Sequence, residues 1–203
     1  MIGAVYVVTD PDAPLPVFEQ ALAAARGGAL TVQLRDKTAP DADLTALARA
    51  LLAELRPRGV KLIVNDRLEV ALAADADGLH IGQTDGDPAA ARARLGAGKL
   101  LGLSVERPEH CAAVPACVDY LGAGPVRATA TKPDHAAPVG FDGLAAIAAR
   151  APAPVIAIGG LGAGDAAAVK RAGAAGMAVV SAVARAPDPE AATRALVAEW
   201  RRA

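Results

Sequence analysis

The 203-residue sequence predicts a closed (β/α)8 barrel. Short apolar runs alternate with longer, alanine-rich amphipathic segments from end to end, and eight such pairs use up the chain with no element left over. Strands alternating with helices imply a parallel sheet with right-handed crossovers. Eight units favour the TIM-barrel closure, while an open flavodoxin-like sheet of about five or six strands is the second choice. No linker, low-complexity tract or charge block marks a boundary, so residues 1–203 read as a single barrel domain.

The elements follow in order. Run one is Ala4 to Thr9, and a helix from Val17 to Arg26 is stopped by Gly27-Gly28. Run two, Leu30 to Leu34, ends in Arg35-Asp36-Lys37, and the next helix, Asp41 to Arg56, places Leu44, Leu47, Leu51 and Leu55 at helical spacing. Run three, Lys61 to Val64, ends in Asn65-Asp66-Arg67, and a short helix to Ala74 leads to run four, Gly78 to Gly82, ending in Gln83-Thr84-Asp85. Asp87-Pro88 opens a helix to Leu95, with Asp as N-cap and Pro in the first turn. Run five, Leu100 to Leu103, ends in Ser104, and a short helix is expected over His110 to Ala116. Run six, Val118 to Leu121, precedes the loop Gly124 to Pro133 and a helix from Asp142 to Ala149. Run seven, Val155 to Ile158, ends in Gly159-Gly160, and Gly164-Asp165 starts a helix to Ala172. Run eight, Met177 to Val180, ends in Ser181, and Asp188-Pro189 caps a last helix through Trp200.

Composition narrows the function. Hydrophobic residues make up 53% of the chain, enough for a large core. Aromatics at 2% leave no base-stacking platform for single-stranded nucleic acid, and a formal net charge of −1 without a like-charge run gives no polyanion-binding surface. Cys111 and Cys117 read as small buried thiols, neither a disulfide framework nor a zinc site. The N-terminus lacks a signal-peptide pattern and no apolar stretch reaches the ~20 residues of a membrane span, so a soluble, cytoplasmic protein with no membrane partner is expected. Oligomeric state is not indicated.

In such a barrel the site is built where the strands end. Those ends carry Gln33, Arg35, Lys37, Asn65, Asp66, Asp85, Ser104, Thr129, Thr131, Lys132, Gly160, Val180 and Ser181, whereas the strand starts carry mostly Pro, Gly or Ala. Charge is therefore expected to concentrate on one face. Arg35, Lys37 and Lys132 are cations that the fold would bring together, and Asp66 and Asp85 could share a Mg2+ ion, which is normally held by one or two carboxylates plus substrate oxygens. The alternative pairs Asp66 with Arg67 and makes Asp85 a cap beside Thr84. The loop Gly124 to Pro133 suits an anion, its other reading being a solvated turn. Gly159-Gly160 and Val180-Ser181 lie where such barrels often place a phosphate. There is no nucleophile–base pair and no Gly-x-Ser-x-Gly elbow. His80, inside run four, reads as a hydrogen-bonded structural residue, and His110 and His135 as surface residues. Charge and positioning are left to do the chemistry.

Together, Tyr6-Val7-Val8-Thr9-Asp10, Gln33-Leu34-Arg35-Asp36-Lys37, Asn65-Asp66-Arg67, Gly78-Leu79-His80-Ile81-Gly82-Gln83, Gly124-Pro125 with Thr129 to Pro133, Ile158-Gly159-Gly160 and Val179-Val180-Ser181-Ala182 resemble the thiamine-phosphate synthase family, in the family's order, from Tyr6 to Leu196. The resemblance implies a barrel enzyme joining 4-amino-2-methyl-5-hydroxymethylpyrimidine diphosphate to 4-methyl-5-(2-hydroxyethyl)thiazole phosphate, giving thiamine phosphate and diphosphate. It implies that Gln33, Arg35, Lys37, Asn65, Ser104 and Lys132 contact the pyrimidine diphosphate, that Asp66 and Asp85 bind Mg2+, and that Thr129, Thr131, Gly160, Val180 and Ser181 hold the thiazole phosphate. Ala130, Arg127-Ala128 and Val180 depart from the family's commoner proline, apolar pair and isoleucine. A thiazole tautomerase relative, which needs a proton-transfer residue and no Mg2+ pair, and a non-catalytic phosphate sensor are the rival readings.

Overall fold

The computed structural model describes residues 2–129, 131 and 136–203; Ala130, Lys132 and His135, singled out above, lie outside the described residues. Eight strands, β1 (Val5–Val8), β2 (Thr31–Leu34), β3 (Lys61–Asn65), β4 (Gly78–Ile81), β5 (Leu100–Val105), β6 (Tyr120–Ala123), β7 (Val155–Ile158) and β8 (Gly176–Val179), pair in parallel and in sequence order into a closed barrel. At the closing seam Val7 lies beside Val32 on one side and Val179 on the other. Outside pack α1 (Val17–Arg26), α2 (Asp41–Leu55), α3 (Leu68–Ala73), α4 (Pro88–Leu95), α5 (Gly140–Ala148), α6 (Ala166–Arg171), α7 (Ser181–Ala184) and α8 (Pro189–Arg202).

Because side chains alternate across a strand, each apolar run divides between two cores. Val7, Val32, Leu34, Leu62, Val64, Leu79, Leu101 and Leu121 face outward into the main core, where Leu44, Leu51 and Leu55 of α2 meet them. Fully burying each leucine contributes about 1.5–3 kcal/mol. Tyr6, Val8, Ile63, Tyr120, Ile156 and Ala178 fill the barrel interior instead. Asp87 accepts hydrogen bonds from the amides of Ala89 and Ala90, and Asp188 from that of Ala191, so both expected Asp-Pro helix starts form.

Several local details differ from expectation. The segment expected as a helix over His110–Ala116 is a 3-10 helix over Pro108–Ala113, since the i to i+3 ladder suits a piece this short between Pro108 and Pro115. The helix expected to start at Gly164-Asp165 forms as α6 from Ala166, with the Asp165 carboxylate taken by Arg127 and the Gly162 amide. The short α7 was not expected as a separate element, because four residues carry no periodicity. Nor is charge confined to the strand ends: Asp77 and Asp119 accept from the amides of Leu62 and Leu101 at the far end of the barrel and pair with Arg56 and Arg92. Incoming strands need acceptors for their first amides, and carboxylates supply them. Cys111 is buried, its thiol donating to the Ile147 carbonyl at 3.7 Å; Cys117, expected buried, is only half-buried, and neither is in a disulfide. No helix among the described residues is long and apolar enough to cross a membrane.

Candidate active site

The strand ends open into a cavity of about 440 Å3. Its walls include Gln33, Arg35, Lys37, Asn65, Asp66, Asp85, Ser104, Thr129, Thr131, Gly160, Val180 and Ser181, so residues from seven strand ends converge as the barrel rule requires. Lys132 falls outside the described residues.

One wall is ionic. The Lys37 ammonium lies 3.7 Å from the Asp66 carboxylate, while Arg67 turns away to Asp41 at 2.7 Å; the Asp66–Arg67 pairing considered from sequence does not form. Asp66 sits at φ 61°, a left-handed conformation that Asp tolerates better than most residues, and its amide donates to the His80 carbonyl at 2.8 Å. That turn carries the Asp66 side chain to Asp85, whose carboxylate also accepts from the Gly82 amide at 2.7 Å. Burial, reinforced by Asp85, pushes the Asp66 carboxyl up to about 6 against the opposing pull of Lys37 and Asn65. Two adjacent acidic side chains competing for one proton are what a hard divalent ion relieves. No cluster of three or more acidic, His or Cys side chains occurs among the described residues, so substrate oxygens or water would have to complete such a coordination shell.

The opposite wall is built from backbone. The loops after β6 and β7 run together, Val126 and Arg127 donating to the carbonyls of Ile158 and Gly159 at 2.9 and 3.0 Å. Gly159 and Gly160 have φ of 100° and 64°; side chains there would also strike Pro125 and Arg127 at 2.5 and 2.7 Å. Glycine is therefore required to bring the turn against Pro125, Arg127 and Ala128. Arg127 grips Asp165 through two nitrogens at 2.7 and 2.8 Å and stacks its guanidinium 5.1 Å from the Phe141 ring centre.

The two tyrosines of the floor were missed from sequence. Gln33 Nε2 donates to Tyr6 Oη at 2.8 Å; Tyr6 and Tyr120 hydroxyls lie 3.1 Å apart; His80 Nδ1 is 3.1 Å from Tyr120 Oη, and its Nε2 is 3.0 Å from Ser104 Oγ. Five side chains from β2, β1, β6, β4 and β5 thus form one chain across the barrel. Room for it comes from glycines: a Cβ on Gly102 would sit 2.2 Å from the Tyr120 ring, and one on Gly122 2.9 Å from His80. Burial lowers the His80 pKa to about 4 despite Asp85, and raises both tyrosines. The available signal was that both tyrosines of the sequence lie in apolar strands, where a hydroxyl must find a partner. The reading of His80 as a hydrogen-bonded strand residue agrees with this geometry, though it also lines the cavity.

The fold and this charged, glycine-lined mouth define a (β/α)8-barrel enzyme equipped for phosphorylated ligands. A family model described as thiamine monophosphate synthase matches residues 5–183. The chain is 50% identical over 200 residues to a thiamine-phosphate synthase of Roseiflexus sp. (strain RS-1), covering 96% of this chain and 84% of that one. It is 51% identical over 196 residues to that of Xanthobacter autotrophicus, covering 95% and 93%. Thiamine phosphate pyrophosphorylase from Pyrococcus furiosus superposes with a TM-score of 0.88 at 34% identity, over 98% of this chain and 95% of its own. The chain belongs to the thiamine monophosphate synthase family. It is an enzyme of the transferase type, catalysing a condensation, and its substrates are phosphorylated small molecules.

Proposed function

We propose that this enzyme joins 4-amino-2-methyl-5-hydroxymethylpyrimidine diphosphate to 4-methyl-5-(2-hydroxyethyl)thiazole phosphate, releasing diphosphate, by a dissociative, Mg2+-assisted substitution in the cytoplasm. The observation that carries the reading is the division of one cavity into an acidic and cationic wall, Arg35, Lys37, Asp66 and Asp85, and a glycine and threonine wall, with a neutral polar floor between. A diphosphate needs the first; a monophosphate is met by the second.

Asp66 and Asp85 would hold Mg2+, which when bound neutralises charge on the diphosphate. Arg35, Lys37 and Lys132 hold the leaving group and stabilise the charge that grows on it as the methylene carbon–oxygen bond breaks. The electron pair departs with diphosphate, leaving a pyrimidinylmethyl cation stabilised by its amino group. Asn65, Gln33 and Ser104 orient that ring. Thr129, Thr131, Gly160, Val180 and Ser181 hold the thiazole phosphate so that its ring nitrogen faces the cation and forms the new carbon–nitrogen bond. The nitrogen carries no proton, so no general base is required, in keeping with a floor whose one histidine is held neutral by burial.

The test is product formation from both substrates with and without Mg2+, in the wild type, Asp66→Ala and Lys132→Ala. Loss of about 10²-fold or more in each variant is expected; wild-type rates in both refute the site. Fluorinating the pyrimidine methyl group should slow turnover strongly, and an unchanged rate excludes the cationic route.

A further inference from the structure

The chain Gln33–Tyr6–Tyr120–His80–Ser104 has a direction. A carboxamide NH2 only donates, a hydroxyl donates one hydrogen while accepting another, and a neutral imidazole has one nitrogen of each kind. With Gln33 Nε2 donating to Tyr6, the arrangement that gives every hydroxyl hydrogen an acceptor within the chain assigns the Tyr6 hydrogen to Tyr120 and the Tyr120 hydrogen to His80 Nδ1. His80 must then carry its proton on Nε2 and donate to Ser104 Oγ. No buried side-chain nitrogen or oxygen among the described residues lacks a partner, so reversing one link would require its neighbours to reverse with it or lose an acceptor. The two ends are thereby specified at the cavity: Gln33 presents its carboxamide oxygen as acceptor, and Ser104 has its hydroxyl hydrogen left to donate.

Resting on the synthase reading above, we propose that Tyr6, Tyr120 and His80 are positioning residues that fix the donor–acceptor polarity of Gln33 and Ser104, so that the cavity accepts a 4-aminopyrimidine and rejects its 4-oxo counterpart. The amino group donates, matching Gln33 Oε1, and an unprotonated ring nitrogen accepts, matching the Ser104 hydroxyl. A 4-oxo ring presents a carbonyl and a ring N–H, the opposite pattern at both ends. A site made to hydrogen-bond one pattern rejects the other because buried polar groups are left unpaired. The Tyr6 and Tyr120 hydroxyls act only through the chain, so removing one changes discrimination more than the space available.

The test has three readouts. Nitrogen-15 NMR of His80 in the wild type should show the Nε2–H tautomer; Nδ1–H overturns the proposal. Calorimetric binding of the 4-amino and 4-oxo pyrimidine diphosphates should favour the amino compound by about 10²-fold or more in the wild type. Tyr120→Phe should cut that ratio at least ~10-fold, with the KM for thiazole phosphate unchanged. Tyr6→Phe, which interrupts the chain at another link, should do the same and serves if the first variant does not fold. Gln33→Glu, whose carboxylate can only accept, should invert the chain so that Ser104 turns from donor to acceptor; the carboxylate still accepts from the amino group, so the ratio should fall without reversing. An unchanged ratio in a folded Tyr variant, or a wild-type preference for the 4-oxo ring, refutes the assignment. Because binding and tautomer are read without turnover, a wild type that binds selectively yet forms no product sinks the synthase reading alone.

Discussion

Asp66 shows how one residue takes its properties from three sources. Its left-handed backbone is set by the turn after β3, its neighbour Asp85 arrives from β4, and Lys37 reaches it from β2. Its carboxyl titrates near 6 when folded against an ordinary value of 3.8. The folded chain therefore binds that proton more tightly than the unfolded chain does. The stabilisation is fully present below about pH 4 and is lost as pH rises through 6. Melting temperatures of metal-free wild type should fall relative to Asp66→Asn across that window, and adding Mg2+ above pH 6 should recover the difference; parallel curves would show that the two carboxylates do not interact. The composition of this wall was legible in sequence because each residue follows an apolar run. The 61° turn and the contact with Asp85 were not, since they depend on how neighbouring strand ends are juxtaposed.

Among the elements, strand runs were the easiest to read. β7 coincides with the apolar run Val155–Ile158, and the other strands shift by one or two residues, so that β5 runs one residue past Ser104. The four-residue α7 and the 3-10 helix at Pro108 were not legible, because their length gives no period to count. Arg127 was noted in sequence only as a departure from an apolar residue. In the fold it joins the loop after β6 to the loop after β7 through Asp165, itself nearly buried. Arg127→Ala should cost on the order of 1–2 kcal/mol, limited by the half-exposed guanidinium, and lower Tm by about 2–8 °C. If this pair holds the thiazole phosphate wall, the KM for that substrate rises while that for the pyrimidine diphosphate stays put. Calorimetry and steady-state kinetics decide it.

For the molecule as a whole, closure brings together residues far apart in sequence. Asp10, after β1, is buried and meets Arg185, after α7, at 2.9 Å, so the first and last strand ends are tied above the seam. Arg185→Ala strands a buried carboxylate and should destabilise by about 2–3 kcal/mol; Asp10→Asn with Arg185→Met should recover part of that loss, because the unpaired charge is gone. Denaturant unfolding of Arg185→Ala and of the double variant against the wild type measures both effects; equal losses in the two would refute the stranded-charge account. Ties of this kind are invisible to periodicity, as is the meeting of Tyr6 with Tyr120 across 114 positions.

The bare backbone at Gly102 and Gly122 has a wider implication. Two missing methyl groups set how deep a guest can descend, and they belong to paired strands whose hydrogen-bond ladder cannot shift without disturbing its neighbours. A lineage adapting this scaffold to a bulkier heterocycle would find its basement fixed, with only the rim left to remodel.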